Sequence, residues 1–111
     1  MFIITAEYLN LRTKDGLAME FALAQYGDIW RVYLLSPIDY KGRPDDLYIT
    51  CRQCDEHGLI YICWYPPPLS LEVAEAVATT WAEMTATYIR TGESICSQYS
   101  RAYYGGRGHD P

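Results

Sequence analysis

Residues 71–90 directly follow the block Pro66-Pro67-Pro68 and carry the clearest periodicity in the chain. Val73, Val77, Trp81, Met84 and Tyr88 recur at steps of four, four, three and four, which is the apolar stripe of an amphipathic helix. Glu72, Glu75 and Glu83 lie off that stripe. Ser70 is the expected N-cap, because its hydroxyl can accept a hydrogen bond from a first-turn N–H that has no helical partner. Glu72 suits the positive first turn, and Arg90 with Gly92 marks the other end. Burying the five stripe residues would contribute roughly 10 kcal/mol gross, an upper bound because unfolded chains already hide some surface. A helix of this kind needs a sheet to lie on, so the rest of the chain is read for strands.

Residues 2–11 alternate as a strand, with Phe2, Ile4, Ala6 and Tyr8 expected inward and Thr5 and Glu7 outward. Lys14-Asp15-Gly16 then signals a hairpin, since Gly accepts positive φ. The composition of residues 17–25 favours helix, but Leu17, Met19, Phe21 and Leu23 stand at a spacing of two. The period also accounts for the Asp-Gly turn before it and Tyr26-Gly27-Asp28 after it, so a strand is expected. Residues 29–36 make a third strand with Trp30, Val32 and Leu34 on one face, ended by Pro37, which cannot donate to a ladder.

Residues 38–46, including Tyr40, Asp45 and Asp46, read as a polar connecting loop: either a solvated crossover or a functional loop. Residues 47–54 and 59–65 form a second hairpin around Asp55-Glu56-His57-Gly58. A four-residue loop sets Cys51 opposite Ile62 and Ile49 opposite Trp64, giving one coherent apolar face. The opposite face then carries Tyr48, Thr50, Arg52, Tyr61, Cys63 and Tyr65. After the long helix, Ile95, Tyr99 and Tyr103 recur every four residues within 93–104, as in a short helix. Residues 105–111 read as a Gly-rich tail after a single domain spanning 1–104. The expected class is α+β: an antiparallel sheet of about five strands, a meander plus a hairpin, under one long helix. The short C-terminal helical segment packs at the sheet edge or over its other face.

Composition narrows the function classes. A chain of 111 residues, half of them hydrophobic and 21% charged, can bury a single core without staples. A net charge of −5 argues against direct nucleic-acid binding, which needs a basic face, and suits a basic protein partner. No run is long enough to span a membrane and no targeting signal is visible, so no membrane role is expected, and the cytoplasm (or a host's cytoplasm) is the expected location. The four cysteines are then expected as free thiols.

Chemistry-bearing constellations are sparse. Cys51, Cys54, His57 and Cys63 have the ligand types for tetrahedral zinc. In a regular strand, however, Cys51 and Cys54 point to opposite faces, and no Gly stands between them to permit a knuckle. Neither His57 nor His109 has an orienting carboxylate beyond its neighbours, and no nucleophile elbow or phosphate-cradling glycine loop is present. No cofactor and no catalytic residues are therefore expected, and Cys51–His57 is kept as the centre of an alternative metal-binding or enzymatic reading.

Surface recognition remains. Eleven tyrosines and three tryptophans suit interface anchoring. The expected contact set is Tyr48, Tyr61 and Tyr65 around Arg52, with Tyr40, Asp45 and Asp46 from the loop. The competing expectation is that the C-terminal segment folds over those tyrosines. A small, acidic, aromatic-rich domain of this kind fits an inhibitor encoded by a phage or mobile element, such as an anti-CRISPR or other anti-defence protein. It would occlude a partner's surface, for instance a basic nucleic-acid-binding channel, reached by electrostatic steering. A homodimer using the exposed sheet face is a third class.

Overall fold

The computed structural model describes residues 6–103. In chain order the elements are β1 (Ala6–Arg12), β2 (Ala18–Tyr26), β3 (Ile29–Leu34), β4 (Arg52–Cys54), β5 (Ile60–Ile62), α1 (Leu71–Thr91) and α2 (Ile95–Tyr103). The strands form one antiparallel sheet in the order β1-β2-β3-β5-β4, and α1 lies on one face of it. This is the α+β architecture expected from the sequence. Phe2, Ile4 and Thr5, and the tail 105–111 with His109, lie outside the described residues.

The first hairpin turns where Asp15-Gly16 predicts it, with Gly16 at φ 91. The buried Thr13 organises the turn: its N–H donates to the Leu17 carbonyl, and its hydroxyl donates to Asp15 and accepts from the Leu17 N–H. The strand period of residues 17–25 prevails over their helix propensity. Met19, Phe21 and Leu23 are buried beneath α1, with the Phe21 ring edge-on to Trp81 at a centroid distance of 6.2 Å.

The facing of β1 is the reverse of the expected one. Leu9 pairs with Phe21 and Leu11 with Met19, so these leucines join the core, whereas Tyr8 pairs with Ala22 and is 76% exposed. Directly paired residues share a face, and a one-residue change of phase exchanges every side chain. The core-facing side chains of β2 decide the phase of its neighbour.

α1 is capped as its sequence specifies. The Ser70 hydroxyl accepts from the Val73 N–H at 3.2 Å, and the N–H of Gly92, at φ 86, donates to the Tyr88 carbonyl. One stripe residue departs from expectation: Val73 is 47% exposed. Ala74, Ala78 and Ala82 are fully buried and form an i, i+4 ridge that lets the helix approach the sheet closely. Val77, Trp81, Met84 and Tyr88 are buried on or beside that ridge, while Val73, about 100° around the helix from Ala74, is turned outward.

The loop after β3 is tied to the helix layer. Tyr40 is buried with its ring 6.2 Å from Tyr88, and the Tyr88 hydroxyl donates to the Pro44 carbonyl at 2.7 Å. The Arg43 Nε donates to the Ile89 carbonyl at 3.3 Å, placing a cation at the negative end of α1. The second hairpin is shorter than expected. Residues 47–51 form a turn in which the Thr50 N–H donates to the Asp46 carbonyl, and Cys51 adopts φ 56. Thr50 is fully buried; its hydroxyl donates to the Asp46 carbonyl and accepts from Arg52 Nε. Its own carbonyl accepts the Trp81 indole N–H at 3.0 Å. That anchor holds the segment as a turn where alternation alone suggested a strand.

α2 sits beside α1 rather than over the other sheet face. Ile95 is buried in the core, the Gln98 amide donates to the Met84 and Glu93 carbonyls, and Tyr99 meets Trp64 edge-on at 5.2 Å. Among the described residues, no helix is long and apolar enough to cross a membrane.

Candidate interaction face

The sheet face opposite α1 is built by the side chains that alternate with the core. One cross-strand row runs Tyr8–Ala22–Tyr33–Tyr61–Gln53 across all five strands. Next to it lie Ala6, Ala24 and Arg31, and then Tyr26. Ala22 and Ala24, in the middle of this face, are buried.

Arg31 is the organising group. Its guanidinium carbon lies 3.8 Å from the Tyr26 ring centroid and 4.3 Å from that of Tyr61, so it sits between rings from the two strands that flank β3. Its Nη1 donates to the Tyr33 hydroxyl at 3.3 Å, and that hydroxyl donates to Asp55 Oδ2 at 3.0 Å. The Tyr33 and Tyr61 rings are 5.8 Å apart. Each cation–π contact of this partly exposed kind is worth about 0.5–1 kcal/mol. Among the described residues Arg31 forms no ion pair, and its link to a carboxylate runs only through Tyr33.

Asp55 closes the β4–β5 turn and fixes Tyr33. Its carboxylate accepts the N–H groups of His57 at 2.8 Å and Leu59 at 2.9 Å. Partial desolvation opposes the charge, but these donors and the Tyr33 hydroxyl hold the carboxyl below its ordinary value of 3.8. Burial pushes the Tyr33 hydroxyl upward, so it remains a neutral donor. A carboxyl whose folded pKa is depressed contributes stability above its unfolded pKa and loses it as pH falls through the folded value. The stability difference between wild type and Asp55→Asn is therefore expected to be present at about pH 5 and to shrink as pH falls through the depressed folded value. Thermal melting of both proteins across that range checks it; a pH-independent difference would mean that the carboxylate charge contributes nothing.

Beside Arg31 a cleft of about 310 Å³ is lined by Trp30, Arg31, Tyr61, Trp64, Tyr65 and Pro68, among others. The Pro68 carbonyl accepts the Trp30 N–H at 2.8 Å, so the proline segment forms its wall alongside β3. Tyr65 is 83% exposed at the rim. A second depression, about 260 Å³, lies between the first hairpin tip and the end of α1. Its charges are matched internally, Asp15 with Arg90 at 3.0 Å and Asp39 with Lys41 at 3.6 Å.

The residues singled out from sequence are divided by the structure. Tyr61 and Tyr65 come together at the cleft. Arg52 does not join them. The hairpin connection is five residues rather than four, pairing Arg52 with Ile62 and Gln53 with Tyr61, so Arg52 shares the helix side. There it is held by Thr50 and by the Asp45 carbonyl at 2.7 Å, with its guanidinium 5.4 Å from the Tyr40 ring. Tyr40 is core, and Tyr48 is 92% exposed on the 47–51 turn, away from the cleft-lining residues. Asp45 and Asp46 are exposed in the loop, where their carbonyls hold Arg52 and Thr50.

Cys51, Cys54, His57 and Cys63 are free of disulfides where cysteine, and among the described residues no three His, Cys, Asp or Glu side chains are grouped to hold a metal ion. Cys63 donates its N–H to the Cys51 carbonyl, but Cys54 and His57 extend into the turn beyond. Burial pushes the Cys51 thiol up, the opposite of what an activated or metal-binding thiol requires.

Tyr8, Tyr26, Arg31 and Tyr33 also belong to this face, although they are not among the contact residues expected from the sequence. A signal was available: in β2 and β3 these last three alternate with Leu23 and Val32, so they are the complement of the core positions. No family model, curated protein or solved structure matches the chain.

Proposed function

We propose that the chain is a non-enzymatic protein-binding module whose contact surface is the outer face of the sheet. The observation that carries this reading is the cluster of Tyr26, Tyr33, Tyr61 and Tyr65 around Arg31, with Tyr8 further along the same face, a face that neither α1 nor α2 covers. Tyr and Arg are the residues that most often dominate interface energies, because each combines apolar area with directional hydrogen bonding. Here the anchors are carried on paired strands and restrain one another, so little side-chain entropy is left to lose on binding.

The chain's −5 charge supports long-range attraction to a basic partner, with Glu72 and Glu75 exposed on α1 contributing to that field. The face itself carries Arg31 at its centre, so approach and seating depend on different charges. An occluding inhibitor encoded by a phage or mobile element belongs to this class, and chain size and acidity are what support that setting.

Affinity capture from host lysate with matched variants tests the surface. Tyr65→Ala should weaken capture by about 2 kcal/mol, the scale of a hot-spot truncation. Tyr48→Ala, equally exposed but away from the cleft, should change it by less than about 0.5 kcal/mol. Both proteins should melt like wild type, since neither side chain is buried. Loss of the partner with Tyr48→Ala and full retention with Tyr65→Ala would move the interface to the 47–51 turn.

A further inference from the structure

Arg31 occupies an unusual position for a cation in an acidic chain. It is half-buried, it stands between two tyrosine rings, and among the described residues it has no ion-pair partner. One of its five N–H donors is engaged by Tyr33, which leaves donors at the edge of the neighbouring cleft. A planar guanidinium whose orientation is already fixed by two rings and a hydroxyl loses little freedom when a carboxylate docks. The walls beside it, Trp30, Trp64, Tyr61 and Pro68, are aromatic and apolar. We propose that this cleft seats an Asp or Glu side chain of the partner protein on Arg31, with an apolar residue next to it in the partner packing against the aromatic wall. The proposal rests on the outer-face reading above and names the chemistry that face selects.

Two neighbouring chemistries fit less well. Capture of a chain's terminal carboxylate draws on free backbone N–H groups, but the Trp30 N–H at the cleft is taken by the Pro68 carbonyl. A phosphate group is characteristically held by several cations, and among the described residues Arg31 is the only cation lining this cleft. A single side-chain carboxylate matches one guanidinium in both charge and shape.

The test uses the full chain and three short acetylated peptides: acetyl-Leu-Glu-Phe-amide, the same peptide with Gln for Glu, and the Gln peptide with a free terminal carboxylate. Titrations are followed by the Arg31 side-chain N–H resonance and by tryptophan fluorescence, since Trp30 and Trp64 line the cleft. The Glu peptide should bind at least about tenfold tighter than the Gln peptide, the scale of a charge-assisted hydrogen bond. That preference should disappear in Arg31→Met and shrink in Arg31→Lys, which keeps the charge without the planar fork; melting curves verify that each variant folds. Equal binding of the Glu and Gln peptides overturns the proposal, as does a preference that survives Arg31→Met or Arg31→Lys undiminished. Tighter binding of the terminal carboxylate overturns the choice of a side chain. An Arg31 resonance that shifts with protein concentration alone would assign the face to a second copy of the chain and likewise overturn it. If the peptides fail while Tyr65→Ala still loses the captured partner, the carboxylate seat falls and the outer-face reading stands; failure of both removes the face.

Discussion

Trp81→Ala is expected to lower the unfolding free energy by about 3–5 kcal/mol, the range for deleting a large buried aromatic. Trp81 is fully buried on the sheet-facing side of α1, and its ring meets Phe21 of β2 edge-on. Truncation would open a cavity between helix and sheet, and the neighbouring alanine ridge of α1 offers no long side chain to refill it. The indole N–H also donates to the Thr50 carbonyl, so the same change releases the 47–51 turn. Chemical denaturation of both proteins measures the loss. Trp81→Phe separates the two contributions: it keeps most of the packing and leaves one buried carbonyl unpaired, at a cost of about 1–3 kcal/mol. A loss below about 1 kcal/mol in Trp81→Ala would mean that α1 is not seated on the sheet as described.

Ile95→Ala is expected to cost about 2–5 kcal/mol. α2 has nine residues, too few to persist in water without tertiary support. Ile95, with 1% of its surface exposed, is its anchor in the core, and Gln98 bridges it to the carbonyls of Met84 and Glu93. Amide exchange distinguishes the consequences, because protection should fall in α2 first and in β2 and α1 only through global unfolding. Unchanged stability together with unchanged α2 protection would overturn the placement of α2 in the helix layer. This placement bears on the proposed function, since α2 packed beside α1 does not lie over Tyr33 and Tyr61, both of which are half-buried.

The proposed interaction face could be read from the sequence only in part. Tyr61 and Tyr65 stand out as aromatic residues next to a predicted core strand. Tyr26, Arg31 and Tyr33 follow from the same alternation that marks Leu23 and Val32, once the outward positions of the meander are given equal attention. A four-residue loop would place Arg52 on the face. Asp55 instead caps a connection of five residues, and a one-residue change of register carries a side chain through the sheet.

Local rules written into the sequence determined α1 and its caps, the Asp15-Gly16 turn, the strand character of residues 17–25 and the α+β class. In each case the physical cause acts over a few residues: a hydroxyl at an N-cap, a glycine at positive φ, an apolar period of two or of 3.6. Only the tertiary structure decided the phase of β1, the turn at 47–51, the seat of α2 and the cage around Arg31. These depend on partners distant in the chain: Phe21 for Leu9, the Trp81 indole for Thr50, Trp64 for Tyr99, and Tyr61 for Arg31. Alternation along a strand gives two possible faces and does not say which one the core will occupy. Packing against α1 makes that choice, and the tyrosines left on the other side become the surface this protein presents.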